Sequence, residues 1–508
     1  MAIQPTTIKN KYNRFLGLAV ILFLINVLVF NDANSIMEGA EATNLLKAQA
    51  LNNAEEGKLM IPTLPDLIHA FVYQLKGLHH FALRLPTALL LIVFNLGFYF
   101  LGRIVFGKEA VKACLLVLGS SLLVVNLAKF AINDIWLFAF QGFAVLCLIL
   151  YLKRPIWKWL VGFWIASLLG TCVSPASMLI LVAGLWCYLY FLHPQGKRLA
   201  GVYIWVLVPL MYALAYVLGF SFGYTDGFLL RNGWSSIPSY FAYTGIAFLP
   251  WLGFLLAGLW DLFQKLKRRE ELAIINFGWL LLAILSQSLI LHLVLAFLTG
   301  KQVMNYAKKN YPYENLIKTG ALLSLVVGFC VMTILMLQGY VYFQAIGYRS
   351  AITVSGVYWV CSFIGVIGLY NKRRDMYIGG MAMSGFLLTL FFWLQLGQLI
   401  ESSRNLPQGL VKAAKELTED SRQATLVIGA PSMVARTSLK LYAQDRFGKV
   451  EFIGDPQTLV QRYRSDRQSV YLMDKVTWDA VVPVSNRQEK QTGSVHLFGA
   501  EQDFWVLR

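Results

Sequence analysis

The residues most able to do chemistry in this chain are carboxylates placed beside hydrophobic segments. Residues 13–30 are long enough to span a bilayer, and the stretch after them carries Asp32, Glu38, Glu41, Glu55, Glu56 and Asp66. A long acidic loop pressed against a bundle of spans suggests a reaction or binding site at the membrane surface. Within it Glu41, in GAEATNLLKAQAL, opens a helix-like stretch. Asp134, in AKFAINDIWLFAF, lies at the mouth between two later spans. Ionisable groups at the rim of a membrane are costly and usually face a cavity or a partner. Asp134 also reads as a cap on the free N–H groups of the next helix, and the two roles are compatible.

The elements that position these acids are membrane spans. Hydrophobic residues make up 57% of the 508 and charged residues 14%. Candidate spans lie near 13–30, 83–106, 112–130, 135–152, 157–173, 177–193, 201–220, 242–262, 320–338, 351–370 and 377–400. Each approaches the roughly 17–25 apolar residues that a hydrocarbon core requires. The formal net charge of +17 sits in alternate loops, for example at Arg103, Lys108 and Lys112, at Lys301, Lys308 and Lys309, and at Lys372, Arg373 and Arg374. This is the positive-inside pattern; it places those loops and the N-terminus in the cytoplasm and argues against nucleic acid as a partner.

The loops at 265–271 and 301–315 are both basic, so the chain between them crosses an even number of times. Ser286, Gln287 and Ser288 interrupt the apolar run 273–299, which predicts two short or re-entrant helices buried in protein or lining a cavity. The fold class expected is an α-helical polytopic membrane protein of about thirteen crossings. Its membrane domain is 1–400, with an extracytoplasmic first loop at 31–82, a retained first span and an interfacial stretch at 67–78. The six cysteines fall inside hydrophobic spans and read as small apolar residues.

Residues 401–508 read as a soluble extracytoplasmic α/β domain. Strands are expected at 424–429, 449–453, 468–473, 494–498 and 503–507, and helices at 432–444 and 456–464.

In order, these features resemble the membrane glycosyltransferases of the GT-C class, in particular the protein O-mannosyltransferases and the lipid A aminoarabinose transferases. Glu41-Ala42 with LLKAQAL is similar to the helix that follows that family's acid pair, and Met60-Ile61-Pro62 to its turn. Arg84-Leu85-Pro86-Thr87 resembles the start of its second span, and FAINDIWLFAF the stretch whose aspartate follows its third. Pro238-Ser239-Tyr240-Phe241 with Phe248-Leu249-Pro250-Trp251 resembles the opening of a later span. The likeness covers nearly the whole chain and rests on the order of short motifs. Two positions depart from it: Ala40 stands at the leading aspartate, and Leu64 at the lysine of a Lys-Pro element.

The resemblance implies transfer of a sugar, with inversion, from a polyprenyl-phosphate donor to an envelope acceptor on the extracytoplasmic face of a bacterial inner membrane. A carboxylate must take the acceptor's proton as the anomeric carbon gains oxocarbenium character. By position Glu41 is that base, with Asp32 or Glu38 as substitutes and Asp134 as the second acid. The leaving phosphate needs cations, Arg84 first, then Lys58, Lys76, His79, His80 and Arg231. Arg84 also reads as snorkelling to headgroups, and His79-His80 as an interfacial pair. Glu41 and Asp134 are too few to define a metal site, which leaves a divalent ion open. Two other readings stand beside the enzyme: a non-catalytic scaffold in envelope-glycan assembly, and a transporter of lipid-linked sugar, against which the chain shows no two-half repeat.

Overall fold

The computed structural model describes residues 39–52, 63–203, 237–342, 348–393, 397–429, 437–474 and 491–507, apart from 309, 419, 467, 498 and 499, with scattered positions elsewhere. Two helices follow the first hydrophobic segment, α1 (Ala40–Asn52) and α2 (Leu64–Lys76). Thr63 and Asp66 form a reciprocal capping box at the start of α2, with Pro65 in its first turn. The bundle then runs through α3 (His80–Phe106), α4 (Lys108–Gly119), α5 (Leu122–Leu127), α6 (Asn133–Lys153), α7 (Trp157–Thr171) and α8 (Pro175–Leu192). It continues with α9 (Ile237–Ala247), α10 (Leu252–Lys267), α11 (Glu271–Leu285), α12 (Leu291–Asn305), α13 (Glu314–Tyr342), α14 (Tyr348–Tyr370) and α15 (Arg374–Phe391).

Helix α6 is apolar on every side and sits at the centre, which is where such a helix can bury all its faces. A Cβ at Gly142 of this helix would lie 2.5 Å from the Phe94 ring, so glycine is what lets α3 and α6 approach. Among the described residues five helices are long and apolar enough to cross a membrane, or six if the pair Tyr240–Ala247 and Leu249–Lys267, bent by 71°, is one span. Thirteen crossings are therefore not reached there, and most of 13–30 and 201–220 lies outside the described residues.

The expected span at 112–130 is instead two helices broken at Ser120-Ser121. Ser120 Oγ donates to the Leu116 carbonyl at 2.7 Å and Ser121 Oγ to the Leu118 carbonyl at 2.7 Å, so hydroxyls compete with the helix ladder here. A second break falls at Ser286–Ser288, where Gln287 has φ of 48°. Gln141, from α6, fills it: Ser288 Oγ donates to Gln141 Oε1 at 2.6 Å, and Gln141 Nε2 donates to the Ser177 carbonyl at 3.2 Å. Irregular backbone at this depth is thus buried in protein.

The tail begins with α16 (Gly397–Glu416), so the expected boundary between 400 and 401 falls inside a helix. Then come β1 (Thr425–Ile428), α17 (Thr437–Arg446), β2 (Lys449–Phe452), α18 (Pro456–Ser465), β3 (Val470–Asp474), β4 (Gln491–Leu497) and β5 (Ala500–Leu507). The sheet order is β2-β1-β3-β5-β4, parallel across β2, β1 and β3 and antiparallel at β5 and β4.

The tail has a small buried cluster of its own, Val427, Leu459, Tyr471 and Met473, and shares a second with the rest of the protein. Leu410, Val411, Leu439 and Tyr442 share a buried cluster with Ile36, Ala42 and Leu45 and with Leu83 and Ala131 of the bundle. Polar contacts fix the docking. Tyr442 Oη accepts from the Ile36 N–H at 3.1 Å and meets His80 Nε2 at 3.1 Å, while Tyr73 Oη donates to Asp445 Oδ1 at 2.8 Å. Replacing Tyr442 by Phe keeps the ring and removes two buried partners. The expected cost is about 1–2 kcal/mol, read as a lower Tm and faster amide exchange over residues 36–52.

Candidate active site

The first turn of α1 points Glu41 into the bundle, fully buried. Arg84, in the second turn of α3, is equally buried and grips it with both arms: Nε to Oε1 at 2.7 Å and Nη2 to Oε2 at 2.9 Å. The Ala131 N–H donates to the same Oε1 at 3.1 Å. That bond ties the loop between α5 and α6 to the pair. A buried bidentate carboxylate–guanidinium pair is strong only when its remaining atoms are satisfied, and this one is fixed from three chain segments.

Two residues upstream of Ala131 in the same loop is Lys129, with no exposed surface. Its Nζ has no hydrogen-bond partner and sits 4.4 Å from the centre of the Trp393 ring. Trp393 packs on Phe130 with centroids 5.3 Å apart, and the Arg84 guanidinium lies 5.6 Å from the centre of the Phe130 ring. Two cations are thereby linked through two aromatic rings. Burial pulls the Lys129 pKa down to about 7, so the ammonium is held there at a cost that a bound anion would offset.

Asp134 lies in the first turn of α6 and is 3% exposed. Ile132 is the N-cap of α6, so Asp134 is not the cap; it is the second helical residue, where the helix dipole favours a carboxylate. Two residues on, Trp136 Nε1 donates to Thr87 Oγ1 at 3.2 Å, one turn from Arg84 on α3. His69 of α2 meets the Trp136 ring edge-on at 6.4 Å. It is fully buried with neither ring nitrogen bonded, and burial lowers its pKa to about 4 against the opposing pull of Glu41. Asn44 Nδ2 closes the group from α1, donating to the Ala131 carbonyl at 3.2 Å and to Asn133 Oδ1 at 3.3 Å.

Of the residues singled out by sequence, Glu41, Arg84 and Asp134 are brought to this junction. His79 instead caps α3, its Nδ1 accepting from the Ala82 N–H at 3.3 Å, and His80 faces Tyr442. Lys76 ends α2 and is exposed. Asp32, Glu38, Lys58 and Arg231 lie outside the described residues. Sequence reasoning passed over Lys129 and His69. The signal for Lys129 was available: a lysine five residues before the aspartate, in a loop between apolar segments. His69 carried none beyond its place on an amphipathic stretch. Among the described residues no group of three His, Cys, Asp or Glu side chains could hold a metal ion.

Residues 61–221 match the sequence family described as dolichyl-phosphate-mannose-protein mannosyltransferase, a segment that includes Arg84, Lys129 and Asp134. No curated protein matches the chain. Among solved structures, ArnT from Cupriavidus metallidurans bound to undecaprenyl phosphate is similar at a TM-score of 0.65 and 13% identity, over 98% of both chains. The archaeal oligosaccharyltransferase AglB from Archaeoglobus fulgidus, in complex with an inhibitory peptide and a dolichol-phosphate, is similar at a TM-score of 0.50 and 12% identity. That match covers 92% of this chain and 69% of AglB. The likeness to GT-C membrane glycosyltransferases read from short motifs holds for the fold.

Two outcomes are expected of these buried charges. Arg84→Met leaves Glu41 buried and unpaired and is expected to cost about 3–5 kcal/mol, whereas the double change Glu41→Met with Arg84→Met recovers most of the loss; a double-mutant cycle in detergent checks this. His69 stays neutral in the folded protein while the unfolded chain takes up its proton below pH 6.5, so stability falls as pH drops from 6.5 to 4. The loss is about 3 kcal/mol, and Tm against pH should flatten over that window in His69→Phe.

Proposed function

Proceeding from the GT-C fold, we propose that this multi-pass membrane protein transfers a sugar from a polyprenyl-phosphate carrier to an envelope acceptor, with the first loop and tail on the extracytoplasmic side. The observation that carries the reading is the meeting of Asp134, the Glu41–Arg84 pair and the buried, unbonded Lys129 where the first loop joins the bundle. Two solved relatives of this fold hold lipid phosphates, undecaprenyl phosphate in ArnT and a dolichol-phosphate in AglB.

The roles divide by electrostatics. Glu41 is a poor base, because the Arg84 guanidinium already occupies both its oxygens. Its work is to aim Arg84 and to hold the loop that carries Lys129 and Asp134. Asp134 is the base in this reading: from the first turn of α6 it removes the acceptor hydroxyl's proton as the bond to the anomeric carbon forms. Lys129 receives the leaving phosphate. It supplies the cation that Leu64 does not, and the arriving anion restores the charge that burial disfavours.

The pairing of Glu41, together with Ala40 at the other family acid, also favours a second reading, a scaffold that keeps the fold without the chemistry. Membranes supplied with radiolabelled polyprenyl-phosphate sugars separate the two. Asp134→Asn is expected to lower transfer at least a hundredfold with Tm unchanged. Lys129→Met is expected to lower it at least tenfold while raising Tm at pH 7, since it removes an unpaired buried ammonium. No transfer from any donor, by a folded protein that still binds undecaprenyl phosphate, would establish the scaffold.

A further inference from the structure

Beside the charged groups of the junction lies a set of neutral ones that the transfer steps above do not use. Asn44 of α1, His69 of α2 and Asn133 at the start of α6 are each at most 1% exposed. Asn44 Oδ1, Asn133 Nδ2 and both ring nitrogens of His69 have no hydrogen-bond partner. A polar atom taken from water and left unmatched costs free energy that a bound group with the right donors and acceptors recovers.

These atoms are not scattered. Asn44 Nδ2 donates to Asn133 Oδ1 at 3.3 Å and to the Ala131 carbonyl at 3.2 Å, which fixes the two amides against each other. The acceptor of one amide and the donor of the other are left over. Asn133 and Trp136 are three residues apart on α6 and so are neighbours on one face of that helix. The Trp136 ring is held by its N–H, which donates to Thr87 Oγ1 at 3.2 Å. His69 meets the ring edge-on, with centroids 6.4 Å apart and 87° between the planes. Three helices thus contribute one connected group of two amides, an imidazole and an indole.

The composition of the group selects its ligand. An amide and a neutral imidazole each offer a donor and an acceptor, and a hydroxyl both donates and accepts. The indole adds an apolar surface that suits the C–H groups of a sugar ring. A phosphodiester, which only accepts, would serve Asn133 Nδ2 but neither Asn44 Oδ1 nor the acceptor nitrogen of His69. Chain order places the group beside the charged one: Lys129, Asn133, Asp134 and Trp136 follow one another in a single short segment.

We propose that Asn44, Asn133, His69 and Trp136 bind the hydroxyl-bearing ring of a sugar next to the phosphate that Lys129 receives, with His69 as the side chain that selects for hydroxyl groups. The inference rests on the proposed function, from which it takes the roles of Lys129 and Asp134. A sugar ring can reach this subsite on the donor carrier or on the acceptor, and the hydroxyl chemistry that recognises it is the same.

Native mass spectrometry of the purified full chain tests this. The probes are undecaprenyl phosphate, bare or carrying glucose, mannose or arabinose, and glucosyl-diacylglycerol beside diacylglycerol. The expected result is retention of at least one sugar-bearing carrier at least tenfold over the bare carrier, because a site built to bond hydroxyls discriminates against a ligand that lacks them. His69→Phe, which breaks no hydrogen bond of the folded protein, should abolish that preference and leave retention of bare undecaprenyl phosphate unchanged. His69→Gln puts back a donor and an acceptor and should restore part of the preference, which a role in packing alone would not give. Lys129→Met should weaken bare and sugar-bearing carriers alike and keep their ratio. Asn133→Ala, expected to lower the preference several-fold, serves if His69→Phe does not fold. A preference seen only for glucosyl-diacylglycerol over diacylglycerol, and lost in His69→Phe, supports the subsite with the acceptor as its source. No preference for any sugar-bearing probe, or one that His69→Phe and Asn133→Ala leave unchanged, overturns the subsite while carrier binding, and with it the proposed function, stands. A wild-type protein that retains no carrier at all overturns the proposed function as well.

Discussion

The contact on which the site depends is the buried pair of Glu41 and Arg84. Two charges taken out of water cost several kcal/mol each, a cost their attraction offsets only with near-ideal geometry. Here the geometry is bidentate, and a backbone N–H from Ala131 adds a third bond. The pair therefore does more than neutralise itself. It joins α1, which lies outside the bundle, to α3, which crosses it. It also sets the loop at 128–132 against both; that loop presents Lys129 and Phe130 and leads into Asn133 and Asp134 at the start of α6.

Some buried polar groups elsewhere in the bundle are well served, while others, such as both ring nitrogens of His292, have no partner. The break at Ser286–Ser288 is closed by Gln141 and by Tyr240, whose Oη donates to the Ser288 carbonyl at 2.9 Å. Asp261 collects Lys265, Gln302 and Tyr313. Around the Glu41–Arg84 pair, by comparison, Lys129 Nζ, both nitrogens of His69, Asn133 Nδ2 and Asn44 Oδ1 lack partners. Folded proteins satisfy the great majority of such atoms. On the proposed function, a polar, anionic substrate would supply partners to these atoms.

Legibility in the sequence followed the range of the interaction. Hydropathy marked α3, α6 and α8, because each is a continuous apolar run. It read α4 and α5 as one span, because the break comes from two serine hydroxyls bonding back to carbonyls, which leaves mean hydropathy untouched. The triplet Ser286-Gln287-Ser288 did reveal a break, since three polar residues in an apolar run leave few other readings. Glu41, Arg84 and Asp134 stood out as charges at the edges of spans. Their pairing could not be read: Glu41 and Arg84 are 43 residues apart, and the sequence makes either one equally fit to meet a substrate. Lys129 was visible as a charge before the aspartate, but its contact with Trp393, distant in the chain, was not.

The two departures from the family pattern take on a different weight once the packing is known. Leu64 stands where a lysine was expected, yet the position is occupied structurally. Its N–H donates to the Cys172 carbonyl at 3.0 Å and its side chain packs on Cys172, anchoring the start of α2 to the turn between α7 and α8. A lysine there would give up that apolar contact. A cation on the loop at 128–133 does not carry this conflict, because the loop is already fixed by Glu41 and the ammonium rests on an aromatic ring. Ala40 is likewise buried against the bundle core, where a second carboxylate beside Glu41 would compete for Arg84. One acid paired to organise and one acid at a helix start to react is a consistent division of the same two charges. On the proposed function, the changes at Ala40 and Leu64 would relocate the acid and the cation within the site.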